Sequence, residues 1–530
     1  MSAQPKIEMP IAFEKKINWV PVSETIVIGK DVLELVSSSM YVDPMAIYRE
    51  YIQNAVDSIE ESANKENGRV EIAIDVAARS IRIRDNGGGV PAEEFVKRLT
   101  SVGASTKRGT TARGFRGVGR LAGLGYCQEL IFRTRSSAES MVSEMRWDCR
   151  ELRTLLRSAQ QDKGIAEVIR EIVQLRKFKD ASAPASFFEV ELKSVARLGN
   201  DKLMNADAVI HYLAQVAPVP FSPEFKFAKR ITEALTSHGI NSALDIRVNG
   251  AESPLYRPYT NSINLDERHK ARISDLEIHE IPGTDGSVAA IAWIAHHDYA
   301  GAIPSSALVK GIRARAGNIQ VGEHSLFEEL FPEQRFNSWS IGEVNILDRR
   351  LIPNGRRDHF EQSVHFSNLT NHLSPIAKDI ARRCRQSSLT RKWLRAFELH
   401  KGVALDRAKA VARGGVSKAT RASNADAARK SLKAMHNAVN QKYLSDESKN
   451  RLATEAKSVD TRVNKLIANA GTAADPLKDF KPQVRNAYEE VITLIYECVK
   501  NRNAAAIIVE KILEKIKSGK STTSGPQQKR

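Results

Sequence analysis

An α+β architecture with a separate helical C-terminal region is what the sequence predicts, and three patterns predict it. A helix-periodic segment at 44–61 is followed directly by the alternating apolar positions of a β-hairpin at 69–84. Helix-like and strand-like stretches then intermingle as far as about residue 373. From 374 to 517 the chain is rich in Ala, Lys and Leu and reads as helix alone. The expected divisions are an N-terminal arm (1–23), a first α+β domain (24–204), a second one (205–373), a basic helical region (374–517) and a disordered polar tail (518–530).

In the first segment, Ile47, Tyr51, Ile52, Ala55 and Ile59 recur every three or four residues and mark a buried helical face. Asp43-Pro44 is a helix entry, with Asp as the cap and Pro in the first turn. Glu50 and Asn54 stand four apart and therefore share a face. A carboxylate beside an amide oxygen suits one task, in which the carboxylate polarises a water and the amide oxygen ligates Mg²⁺. The hairpin follows from the alternation of Val70, Ile72, Ile74 and Val76, then Ile81 and Ile83 across Ala78-Arg79-Ser80. It delivers Asp85 at a strand end, just before Gly87, Gly88 and Gly89. An acid there can accept the exocyclic amino group of adenine, and glycines let backbone approach the base.

A third piece runs Ser105-Thr106-Lys107 and then Gly114-Phe115-Arg116-Gly117-Val118-Gly119. Glycines at that density supply backbone amides that can wrap phosphates, and Lys107 and Arg120 add positive charge. The P-loop pattern is absent, and the GxxGxG spacing follows a loop rather than a strand, which excludes a dinucleotide fingerprint.

Taken in this order, the ExxxNAxDS, DNGGG and GxxGxG pieces closely resemble the GHKL ATPases: gyrase, heat-shock-ninety chaperones, histidine kinases and MutL. The resemblance covers residues 24–200. It implies a Bergerat fold, a mixed sheet with helices on one side, with ATP and Mg²⁺ held under a lid. By the same resemblance Glu50 is the general base and Asn54 the Mg²⁺ ligand, Asp57 has a supporting role, and Asp85 reads adenine beside Gly87 and Gly89. Ser105, Thr106 and Lys107, with Gly114, Gly117, Val118 and Gly119, form the lid over the phosphates. A histidine kinase is disfavoured, because it lacks a water-activating Glu here and needs a phosphoacceptor His, and residues 1–47 contain none. The family's late Gly-Thr is replaced by Ala185-Ser186, and the charged insertion at 158–180 reads as helix.

Beyond residue 205 a helix is expected near 207–216 and strands at 243–248, 289–294 and 341–347. In gyrase, MutL and the chaperones a transducer-like domain of this kind sends a cation back to the γ-phosphate, where charge builds during transfer. Arg357, in Leu351-Ile352-Pro353-Asn354-Gly355-Arg356-Arg357-Asp358, resembles the chaperone catalytic arginine, and Lys310 is the second candidate. His296, His297, His359 and His365 are not joined by an acid or Cys at metal-ligand spacing.

Net charge is +17 and the sequence pI about 9.6, which invites a polyanion such as DNA or RNA. Residues 381–460 hold 19 Lys+Arg against 7 Asp+Glu, so most of that excess lies in the helical region. An apolar stripe through Val491, Leu494, Ile495, Cys498, Ile507, Ile508, Ile512 and Ile516 suits a partner helix in a homodimer. Four scattered cysteines, no apolar leader and no uncharged membrane-length run lead to the expectation of a cytoplasmic chain without membrane contact. The expected activity is ATP hydrolysis that drives N-terminal dimerisation and a clamp on nucleic acid, an architecture resembling the MORC proteins. The alternative is a chaperone-like ATPase acting on protein clients.

Overall fold

The computed structural model describes residues 43–62, 67–101, 119–157, 164–197, 200–241, 243–267, 269–413, 415–469, 477–499 and 502–519. The first body begins with α1 (Ala46–Glu60). It starts later than expected because Asp43 Oδ1 accepts the Met45 N–H at 3.1 Å, which holds Asp43-Pro44 in a turn ahead of the helix. The hairpin follows as β1 (Arg69–Asp75) and β2 (Ser80–Asp85), then α2 (Ala92–Thr100), a 3₁₀ segment (Gly119–Gly125), β3 (Glu129–Arg135) and β4 (Val142–Asp148). Next come α3 (Cys149–Arg157), α4 (Ile165–Ile172), β5 (Val173–Phe178), β6 (Phe187–Lys193), α5 (Ala206–Val216), α6 (Ala228–Ser237) and β7 (Asp245–Val248).

These strands make a mixed sheet in the order β5-β4-β3-β6-β2-β1-β7, with β1 and β7 parallel. One face carries Val70, Ile72, Ile81, Ile83, Leu130, Phe132, Met145, Trp147 and Leu192 and is covered by α1, α3, α4 and α5 in one apolar core. The other carries charge. Arg133 bridges Glu144, Glu189 and Glu191, and Arg84 pairs with Glu189. Two expectations are corrected here. The described part of the 158–180 insertion is half helix and half strand, with β5 an exposed edge whose Arg176 and Lys177 discourage further strand pairing. The strand expected at 243–248 forms, but as β7 beside β1, which carries this sheet past residue 204.

A small ribbon of β8 (Ser262–Asn264) and β9 (Lys270–Arg272) precedes the second sheet. That sheet contains β10 (Asp275–Pro282), β11 (Val288–His296), β12 (Gly311–Ala316), β13 (Ile319–Val321) and β14 (Ile341–Ile346), ordered β10-β11-β14-β12-β13. It is covered on both faces. Ala290, Ala292 and Ile294 of β11 join the core beneath the long C-terminal helix, and Ile291, Trp293 and Ala295 face Ile231 and Leu235 of α6. Where this sheet meets the first body, Glu343 accepts from Arg257 at 2.5 Å, from Arg315 at 2.7 Å and from Tyr259 at 3.0 Å. Arg315 also donates to the Ala217 carbonyl at the end of α5. The two bodies are thereby joined through a buried ionic cluster.

The remainder is helical: α7 (Val364–Arg413), α8 (Lys418–Val439), α9 (Asp446–Ala468), α10 (Pro482–Cys498) and α11 (Arg502–Gly519). α7 begins earlier than expected and contains Pro375, because Phe366, Leu369, Leu373 and Ala377 pack onto the second sheet. The apolar stripe is displaced only in part, since Ile495 and Ile516 pack against the buried cluster. Ile492, Tyr496, Val509 and Leu513 are buried between α10, α11 and α7, while Val491, Leu494, Ile507 and Ile508 are exposed. No described helix is long and apolar enough to cross a membrane.

Candidate nucleotide site

Burial of Ile47, Tyr51, Ile52, Ala55, Val56 and Ile59 lays α1 on the sheet and turns Glu50 and Asn54 to the other side. Two tyrosines fix its position: Tyr48 Oη donates to the Leu203 carbonyl at 2.7 Å, and Tyr51 Oη accepts the Gly123 N–H at 2.9 Å. The second contact brings the 3₁₀ segment against the helix. A Cβ on Gly119 would lie 2.4 Å from Glu50 Oε2, so only glycine fits beside that carboxylate.

Two cations face Glu50, which is 7% exposed. Arg49 Nη2 stands 3.4 Å and Arg357 Nε 4.0 Å from Oε1. Arg357 comes from the second body, on the turn after β14. Arg49 donates to the Arg356 carbonyl at 3.0 Å and so holds this turn against α1. Arg357 is itself in the left-handed region, with φ 57°, uncommon for a residue with a Cβ. Its N–H reaches the Asn354 carbonyl, and its own carbonyl accepts from Gly322 at 2.8 Å, which fixes the turn at both ends. Lys310 stands just before β12. There it acts on His324, whose pKa is held below its ordinary value first by burial and then by the Lys310 charge.

Asn54 is half-buried one turn along from Glu50, and Asp57 is buried. At the end of β2, Asp85 is 4% exposed. Its Oδ1 accepts the Gly87 N–H at 2.9 Å and lies 3.4 Å from the Ser58 hydroxyl. Burial pushes this carboxyl up to about 7, against those bonds. The turn admits no larger residue: a Cβ on Gly87 would meet Ser58 Oγ at 2.2 Å, and Gly89 has φ +71° with the Arg135 carbonyl 2.2 Å from a Cβ. At this end of the sheet the hydroxyl of Thr134 serves the turn. Thr134 Oγ1 accepts the Val90 N–H at 2.8 Å and donates to the Phe187 carbonyl. Nothing in Phe132-Arg133-Thr134-Arg135 signals that role. Ser105, Thr106, Lys107, Gly114, Gly117 and Val118 lie outside the described residues.

Residues 45–174 match the family model described as histidine kinase-, DNA gyrase B-, and HSP90-like ATPase. This segment is a GHKL-type ATPase domain. No curated protein matches the chain. Among solved structures, the ATPase region of Saccharomyces cerevisiae topoisomerase II is similar at 13% identity, with a TM-score of 0.36, over 64% of this chain and 84% of that one. Within the ATPase domain, the donor set suits an adenine nucleotide. A buried acceptor stands at one end of the site and a carboxylate with an amide one helical turn apart stands at the other. Gly87 and Gly89 in the turn after Asp85, and Gly119 beside Glu50, occupy positions where a Cβ would obstruct.

Proposed function

We propose that the chain binds ATP with Mg²⁺ between Asn54 and Asp85 and hydrolyses it. The observation that carries this reading is the meeting of Glu50 with Arg357, since two distant parts of the chain bring a base and a cation to the edge of one site. In this reading Asp85 accepts from the adenine amino group, and Gly87 and Gly89 let the base approach. Asn54 ligates the metal, which supplies charge neutralisation at the phosphates. Glu50 takes the proton of the attacking water. Arg357 offsets charge that builds on the phosphoryl oxygens, and Asp57 supports the helix that carries the base. The glycine-rich segment ending at Gly119 acts as the lid.

Closure of that site would draw two N-terminal domains together as a homodimer, and the basic helices would hold DNA or RNA. The excess of Lys and Arg over residues 381–460 supports this part. The test is ATP turnover by the full chain with and without DNA, RNA and unfolded protein, together with DNA binding over a salt series. A clamp on nucleic acid loses affinity steeply as salt rises. Stimulation by unfolded protein alone, with no DNA or RNA affinity, would replace the clamp by a chaperone-like activity.

A further inference from the structure

Along β12, successive side chains turn to opposite faces of the second sheet. Ile312 and Ala314 enter the core beneath α7, while Arg313 and Arg315 reach back to α5 of the first body and the chain just after it. Arg315 finds Glu343 there. Arg313 is buried as well, but it makes no ion pair among the described residues and takes a different set of partners. Its Nη1 donates to Gln215 Oε1 of α5 and to Gln320 Oε1 of β13, each at 3.0 Å.

Each glutamine directs its amide nitrogen to the main chain. Gln215 Nε2 donates to the His211 carbonyl one turn back in α5, at 2.8 Å. Gln320 Nε2 donates to the Gly322 carbonyl at 2.9 Å. Gly322 in turn meets the backbone of the segment that carries Arg357. Its N–H donates to the Arg357 carbonyl at 2.8 Å, and at φ +66° a Cβ there would lie 2.7 Å from the Asp358 carbonyl oxygen. A run of hydrogen bonds therefore leads from α5 through Arg313, Gln320 and Gly322 to the turn that sets Arg357 beside Glu50. Gln215 belongs to the first body and the other members to the second, so the run is complete only while the two bodies are docked.

We propose that Arg313 is a positioning residue for ATP hydrolysis, which holds Gln320 against α5 and thereby fixes the 354–358 turn and the place of Arg357. This rests on the role given to Arg357 under the proposed function. A catalytic group displaced by about 1 Å can lose as much as 10²-fold in rate, so a bond remote from the chemistry is enough to be felt there. The test is a double-mutant cycle in steady-state ATP turnover by the full chain, with Arg313→Met, Arg357→Ala and the two combined. Methionine keeps an unbranched side chain and removes both hydrogen bonds. Arg313→Met is expected to lower kcat by about tenfold with KM for Mg²⁺-ATP nearly unchanged, and to add no further loss in the Arg357→Ala background. Gln320→Met breaks the run one step nearer the turn with the Arg313 charge intact. It should behave alike, and it carries the test should Arg313→Met not fold. Equal fold losses with and without Arg357 would leave these side chains a structural role alone and overturn the proposal, as would native kcat in both variants. No turnover by the native chain, or native turnover in Arg357→Ala, would instead remove the catalytic reading itself, and the proposal with it.

Discussion

Asp85 and Glu343 are both buried carboxylates, 4% and 0% exposed, yet their surroundings differ completely. Around Glu343, at the joint of the two bodies, burial alone would raise the carboxyl. The Arg257 and Arg315 charges and the hydrogen bonds to Glu343 overcome it and leave the group below its ordinary range. Asp85, at the open end of the first sheet, is met by the Gly87 and Phe188 amides and the Ser58 hydroxyl, and burial outweighs them. A fully compensated acid is part of the structure. An acid that the fold leaves uncompensated is suited to a ligand that donates to it.

The largest effect is expected where the first sheet's site meets the second body. Glu50→Ala should lower ATP turnover by roughly 10²–10⁴-fold while ATP still binds, as measured by steady-state hydrolysis and calorimetry. At the joint, Glu343→Ala should cost about 3–5 kcal/mol in urea unfolding, because it leaves Arg257 and Arg315 buried without their acid. A loss below about 1 kcal/mol would erase the contrast with Asp85. Arg357→Ala should reduce turnover by about 10²-fold or more with little change in nucleotide affinity. Arg49→Ala releases the Arg356 carbonyl and removes a charge beside Glu50, and should slow turnover less.

The helix that carries Glu50 and the hairpin are legible because their periods, near 3.6 and 2, are local properties of the chain. β7 was misplaced because its parallel partner, Arg69–Asp75, lies far away in sequence, and no local pattern encodes that pairing. The strand β5 was hidden by charges that suit either an exposed helix or a protected edge. On α10 and α11 both adjoining stripes are apolar, so periodicity alone could not tell Ile492 and Tyr496 from Val491 and Leu494. At the site, Glu50, Asn54, Asp85 and the glycines stood out as residue types at characteristic spacing. Arg49 and Thr134 did not, since each acquires its role only when a distant segment docks: the 356–357 turn for one, the Val90 amide for the other.

Asp85 also carries a pH signature. Its folded value, about 7, lies above the ordinary 3.8, so the folded chain holds a proton that the unfolded chain has lost. Its contribution to stability is complete below about pH 4 and is lost as pH rises through 7, up to about 4 kcal/mol in all. Asp85→Asn should remove that slope without the loss seen at Glu343.

The most direct measurement is a calorimetric titration of Mg²⁺-ATP into the native chain and Asp85→Asn from pH 6 to pH 8. The native protein should bind, more tightly as Asp85 ionises, and the variant should not bind at any pH. ATP binding to Asp85→Asn with native affinity would contradict the assignment of this site.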